Sequence, residues 1–114
     1  MHECIFCKIV SGQIPSPRVF EDEHVIAVRD INPQAPVHVL LLPKKHIASI
    51  LDVRDSDSGL LGRIAGVAAQ VARQEGIAER GFRLLTNTGP EGGQAVAHLH
   101  FHLLGGRRMG WPPG

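Results

Sequence analysis

The sequence predicts an α+β fold, an antiparallel five-stranded sheet with one long helix and a short N-terminal helix, on three observations. Short runs of aliphatic and β-branched residues follow one another with brief links, the pattern of neighbouring antiparallel strands. A single stretch, from Ser56 to Gly76, repeats its apolar residues at helical spacing. Finally, a chain of 114 residues can bury one core but has no room for two. All elements therefore share a single domain spanning 1–114, ending in an extended tail, 105–114.

Each element has its own signal. Ile5, Phe6, Ile9 and Val10 make one apolar side of a short helix that Ser11-Gly12 ends. After the proline-marked Ile14-Pro15-Ser16-Pro17, Val19-Phe20-Glu21 and Val25-Ile26-Ala27-Val28 flank Asp22-Glu23 and read as a hairpin. The turn from Asp30 to Pro36 leads into a third strand, Val37 to Leu42. In the long helix Leu60, Leu61, Ile64, Val67, Ala68, Val71 and Ala72 form the apolar stripe, and Arg63, Gln70, Arg73 and Gln74 lie between them. A Ser or Asp within Asp55–Ser58 supplies the start, and Gly76 the stop. Phe82–Leu85 is a fourth strand, Gly89–Gly93 a tight loop, and Val96–Leu104 a fifth strand. The glycine- and proline-rich tail should be irregular.

Bulk properties exclude some functions. The hydrophobic fraction is 43%, the charged fraction 20% and the net charge only +1, so neither a nucleic-acid backbone nor a membrane surface is an expected partner. The longest apolar run, Val37 to Pro43, is broken by His38 and falls far short of the roughly 20 residues that span a bilayer. Met1-His2-Glu3-Cys4 lacks the basic and apolar regions of a secretory signal, which places the chain in the cytoplasm with reduced thiols.

The unusual residue is histidine, present seven times. In His98-Leu99-His100-Phe101-His102 imidazoles alternate with apolar side chains, so on a strand all three share one face while Leu99 and Phe101 enter the core. Such a row suits two chemistries. It can chelate zinc or iron, or one imidazole can attack phosphorus while its neighbours hold oxygens and manage protons. Gly92-Gly93-Gln94-Ala95, just upstream, can present backbone N–H groups to an anion and favours the second. Neutral imidazole is nucleophilic at pH 7, its pKa being about 6.5, and needs only orientation: a carbonyl accepting the Nδ1 proton would aim Nε2 at phosphorus.

These residues resemble the histidine-triad family, whose signature His-x-His-x-His followed by two apolar residues is met by His98 to Leu104. More narrowly the chain is similar to the Hint branch, the nucleoside phosphoramidases. Asp30-Ile31-Asn32-Pro33-Gln34-Ala35-Pro36, Pro43-Lys44-Lys45-His46-Ile47, Gly92-Gly93-Gln94 and the stretch from Leu104-Gly105-Gly106-Arg107 through Trp111-Pro112-Pro113-Gly114 all match.

The resemblance implies hydrolysis of purine nucleoside 5′-phosphoramidates, aminoacyl-adenylate adducts included, through a covalent nucleotidyl-histidine. His100 would be the nucleophile, His102 would contact the phosphate, His98 would complete the proton network and His38 would support it. Asp30 would bind the ribose, with Phe6, Ile14 and Ile31 around the base. Asn87 would face the phosphate and leaving group, and Gln94 and Ala95 would also line the substrate. Ala95 departs from the many family members that carry a hydroxyl there, which leaves the leaving-group side less assisted. The resemblance also implies a homodimer, with Trp111 reaching the partner's leaving-group side. Alternatives are a dinucleoside polyphosphate hydrolase of the same superfamily, a non-catalytic purine nucleotide-binding regulator, or a metal hydrolase built on the histidine row.

Cys4 and Cys7 form a Cys-x-x-Cys pair with three readings: a redox pair, two buried hydrophobes, or half of a zinc site whose other ligands must be histidines. The resemblance implies zinc on Cys4, Cys7, His46 and His98, structural and not required for chemistry. It also exposes a conflict, because His98 cannot be both a saturated ligand and a free proton shuttle. Lys44-Lys45 and Arg107-Arg108 read as solvated basic pairs with a possible substrate role, and His2 and His24 as surface residues.

Overall fold

In the computed structural model, which describes residues 4–114, the expected strands form one antiparallel sheet in the order β1-β2-β3-β5-β4. They are β1 (Arg18–Glu21), β2 (Val25–Arg29), β3 (Val37–Pro43), β4 (Phe82–Leu85) and β5 (Phe101–Gly105). Helix α1 covers Ile5–Ser11, α2 Ser58–Gln74 and the single turn α3 Gly89–Gly92, with 3-10 turns at Ile50–Asp52 and Asp55–Asp57.

Side chains alternate across a strand, and this sorts the core into two layers. Val39 and Leu41 of β3, Val25 and Ala27 of β2 and Leu103 of β5 pack under Ile64, Val67, Ala68 and Val71 of α2. Leu40 and Leu42, with Ile26 and Val28, face the other way and meet Phe6 and Ile9 of α1. Being covered on both faces is why β3 reads as a nearly continuous apolar run. The same register places the histidines. His102 lies opposite Leu40, so it points to the α1 face, as does His38, two residues before Leu40. The long helix occupies the opposite face.

The helix ends follow the sequence with one change. Gly76 takes a left-handed φ of +75°, and the Ile77 N–H returns to the Ala72 carbonyl at 3.0 Å, closing the end of α2. At its start no side chain caps the helix. The Asp57 carboxylate instead accepts the Arg54 N–H at 3.0 Å and the Lys45 ammonium at 2.6 Å, closing the preceding 3-10 turn.

Three expectations are corrected. The fifth strand begins at Phe101, not Val96, because its partner runs out: Leu41 pairs with Phe101, and two residues on, Pro43 has no N–H to give the ladder. Leu99 N–H turns to the Ile47 carbonyl at 2.6 Å, and the Thr86 hydroxyl takes the His100 carbonyl at 2.7 Å. The Gly89–Gly93 loop is a helical turn closed by Gly93 at φ +81°. In the tail Gly105 still belongs to β5, and 106–114 has no regular structure.

Candidate active site

His98 thus lies in a bend and His100 in irregular chain just before β5, and only His102 is on the strand. All three are inside the protein, His98 and His100 fully and His102 partly. His100 is oriented by its own neighbour. Its Nδ1 lies 2.7 Å from the His98 carbonyl, and since a carbonyl only accepts, Nδ1 carries the proton and Nε2 keeps its lone pair. Phe6 packs edge-on against the ring at 4.8 Å between centroids, blocking rotation. The His100 ring is therefore held in one orientation, with Nδ1 on the carbonyl and Nε2 the nitrogen left to face a substrate.

The next pair is specified by the same donor logic. The Gln34 N–H points at His38 Nδ1 at 3.0 Å, so that nitrogen accepts and His38 carries its proton on Nε2. Nε2 then donates to His102 Nδ1 at 2.9 Å, which leaves His102 with an Nε2–H free to donate. His102 stands 5.1 Å from His100 between ring centroids. The two rings thus sit side by side, tilted by 57°.

Asp30 adds a carboxylate to the pair. Its Oδ2 is 3.4 Å from His38 Nε2, while its Oδ1 accepts the Asn32 N–H at 2.8 Å. Burial pushes His38 below the usual histidine range, and the Asp30 charge pulls it back up. His102 is pushed down to about 4 by burial, then by the cations that His100 and His38 would form, against the opposing pull of Asp30. It is neutral at pH 7. Asp30, His38 and His102 are close enough together to hold a metal ion. The Gln34 N–H argues against this, because it keeps the proton on the His38 nitrogen that would have to ligate.

The second cluster joins residues far apart in sequence. Cys4 Sγ lies 3.4 Å and Cys7 Sγ 3.6 Å from His98 Nδ1, Cys7 Sγ lies 3.2 Å from His46 Nδ1, and the two imidazole nitrogens are 3.1 Å apart. Around zinc, with Zn–S near 2.3 Å and Zn–N near 2.0 Å, tetrahedral ligand atoms sit about 3.3–3.8 Å apart, so the donor set fits that ion. His98 Nε2–H donates to the Pro43 carbonyl at 2.9 Å, which fixes the tautomer that turns Nδ1 to the cluster. The Cys7 N–H also donates to Cys4 Sγ at 3.2 Å. Burial and the adjacent Cys4 push the Cys7 thiol up to about 11, a placement that a divalent cation would reverse.

The conflict over His98 is resolved by this geometry. Both its nitrogens are engaged away from the histidine pair, so the expected proton-shuttle role is corrected: His98 serves His100 through its backbone carbonyl. Gln94 is corrected likewise. Its side-chain amide donates to the Ala48 and Val96 carbonyls at 2.8 and 3.0 Å, its N–H returns to Gly89, and the Gly93 N–H to Pro90. Those donors hold the loop and are not offered to an anion.

Of the other expected residues, Phe6 meets the histidines directly. Phe6 is buried against His100, Ile14 is half-buried in the α1 layer, and Ile31 is 92% exposed on the loop that carries Asp30. Asn87 is half-buried just past β4, and Ala95 is exposed. Trp111 is 83% exposed, with the Arg83 guanidinium 6.0 Å from its ring and donating to the Gly110 carbonyl. His24 is exposed, as expected, and His2 lies outside the described residues. Gln34 and Thr86 are the functional residues sequence reading missed. Gln34 acts through its backbone, and its one visible signal is its place between Pro33 and Pro36.

Comparison with known proteins gives a consistent picture. The family described as "HIT domain" matches residues 11–109. The purine nucleoside phosphoramidase of Escherichia coli (strain K12) is 52% identical over 108 residues, covering 95% of this chain and 91% of that protein. The 14 kDa zinc-binding protein of Brassica juncea is 49% identical over 114 residues, 98% of this chain and 100% of that one. The crystal structure of a HIT family hydrolase from Legionella pneumophila Philadelphia 1 superposes with a TM-score of 0.97 at 56% identity, over 98% of this chain and 100% of that chain.

Proposed function

Because the chain belongs to the HIT domain family and is a nucleotide hydrolase, we propose that it opens the phosphorus–nitrogen bond of purine nucleoside 5′-phosphoramidates with His100 as nucleophile. One observation carries this reading: the His98 carbonyl holds His100 Nδ1 and leaves Nε2 to face a substrate, with the His102 ring alongside. Nε2 attacks phosphorus, and the phosphorus–nitrogen bond breaks with its electron pair going to nitrogen. The amine departs with one proton taken from solvent, and the water of the second step returns one to it. His102 Nε2–H steadies a phosphoryl oxygen as charge shifts, a preorganised donor that costs no reorganisation. Water then attacks the nucleotidyl-histidine, releasing the nucleoside monophosphate and restoring the imidazole. Net, one water is consumed.

Asp30, Ile31, Phe6 and Ile14 form the nucleoside side of the site in this reading, and Asn87 and Ala95 the leaving-group side. Cys4, Cys7, His46 and His98 would hold a structural zinc ion, whose chemistry is to keep both thiols ionised and cross-link α1 to the segment before β5. Two reduced thiols arranged for metal suit a cytoplasmic location. The partner is a second copy of the chain, supported by an edge strand, β4, and by an exposed Trp111 without a cover of its own.

The test is turnover of adenosine 5′-phosphoramidate by wild type and by His100→Asn. The variant should bind AMP within about tenfold of wild type and lose several orders of magnitude in kcat, as removal of a covalent nucleophile does. Retained turnover in the variant would reject His100 as nucleophile.

A further inference from the structure

Arg107 takes no part in the chemistry above, yet the structure ties it to the histidine pair. Its Nε donates to the Gln34 carbonyl at 3.1 Å and its Nη1 to the Arg108 carbonyl at 3.1 Å. Among the described residues it has no carboxylate partner, unlike Arg18, Arg29 and Arg63. Its outer side lines a cleft of about 380 Å³ with Arg80 and Arg108, and no acidic side chain borders that cleft. Carbonyls, not counter-charge, therefore set where the guanidinium lies.

Gln34 sits on an exposed loop, where water competes for every backbone group, and it is gripped three times. Its N–H goes to His38 Nδ1 at 3.0 Å, its carbonyl accepts from Arg107, and its side-chain Nε2 donates to the Asn32 carbonyl at 3.0 Å. A second contact presses the tail against the same turn. Gly106 has φ +89°, and a Cβ there would meet Pro36 Cβ at 2.8 Å, so only glycine allows so close an approach. The Gly106-Arg107 step is thus docked on Gln34–Pro36 by packing and by hydrogen bonding.

The consequence runs inward along single hydrogen bonds. Without the Gln34 N–H, the remaining pull toward a bare Nδ1 is that of the Asp30 carboxylate, whose Oδ2 lies 3.4 Å from Nε2, too long for a good hydrogen bond. Its proton can then sit on either nitrogen, and His102 loses the donor that keeps its own proton on Nε2. We propose that Arg107 is a positioning residue: by fixing Gln34 it selects the Nε2–H tautomer of His38 and, through it, of His102. The proposal rests on the function assigned to His102 above, as donor to the phosphoryl group.

The experiment is nitrogen-15 NMR of the histidine rings in the full-length, zinc-loaded protein, with phosphoramidate turnover measured in parallel. In wild type His38 and His102 each show one protonated and one bare ring nitrogen. Arg107→Ala moves these signals toward the average of two exchanging tautomers and lowers kcat about tenfold with KM changed less than about twofold, the scale on which loss of an outer orienting partner acts. Arg107→Lys keeps one N–H for the Gln34 carbonyl and restores most of kcat, while Arg108→Ala leaves the ring signals as in wild type. Should Arg107→Ala not fold, Gly106→Ala, which drives Pro36 and the Gln34 turn away, is read in its place and gives the same ring change. Wild-type ring signals in the Arg107→Ala protein overturn the proposal, as do altered signals with unaltered kcat. Should wild type not turn over the phosphoramidate at all, the proposed function fails, and the ring signals alone decide the part played by Arg107.

Discussion

Lowering the pH should cost this fold stability through His102 in particular, and the amount follows from its surroundings. Burial, then the neighbouring His100 and His38, hold its pKa at about 4, against 6.5 for a free histidine. The folded protein therefore binds fewer protons than the unfolded chain in that window. The stability tied to neutral His102 is fully present above pH 6.5 and is lost as pH falls from 6.5 toward 4. Between pH 7 and pH 5 an unscreened shift of this size removes about 2 kcal/mol. His102 is only half-buried, so solvent screening brings the figure to about 1 kcal/mol. For a domain of this length that is a fall in Tm of about 4 °C. His102→Gln supplies the comparison, since its amide oxygen can still accept the His38 Nε2–H while the side chain never charges. Calorimetry of both zinc-loaded proteins at pH 7 and pH 5 should show wild type losing about 4 °C more than the variant, by the same arithmetic. Equal losses would refute the reasoning, because histidines common to both proteins cancel in the difference.

Other perturbations reach separate parts of the account. Cys4→Ser combined with Cys7→Ser should abolish near-stoichiometric zinc, measured by plasma emission, and lower Tm while a nucleotidyl adduct still forms; zinc retained in full would displace the metal from these thiols. Gly105→Ala should cost about 1–3 kcal/mol in urea unfolding, since the new Cβ would lie 2.5 Å from Ile77 Cδ1 in a filled core. An unchanged midpoint would mean that Ile77 moves aside freely. Deleting Gly110 to Gly114 should lower kcat/KM far more for phosphoramidates with bulky amines than for the simple phosphoramidate. Equal effects on both substrates would assign the tail to stability, or to nothing.

Most of the sheet was legible because period-two burial leaves a mark on the sequence. Val25 to Val28 are apolar without a break and Val37 to Pro43 are broken only by His38, because both faces are covered, and α2 shows its stripe because only one side is. The histidine row was legible as a site but misread as a strand. Alternation needs no partner, whereas a ladder does, and Pro43 withdraws it. Cys4 and Cys7 were visible as a pair. Their completion by His46 and His98 depends on contacts spanning 39 to 94 positions, which no local pattern encodes and only the family resemblance supplied. Asp30 was read as a ribose ligand, and its place beside His38 needed the fold. Gln34 was invisible for a different reason: its contribution to His38 is a backbone N–H, which every residue except proline carries.

The central claim, covalent catalysis by His100, is tested most directly by mass spectrometry of enzyme quenched in acid-free denaturant during turnover of adenosine 5′-phosphoramidate. The account predicts a transient added adenylyl group that maps to the peptide containing His100 and is absent from His100→Asn. Turnover with no adduct at any quench time, or an adduct carried by His98 or His102 in wild type, would contradict it.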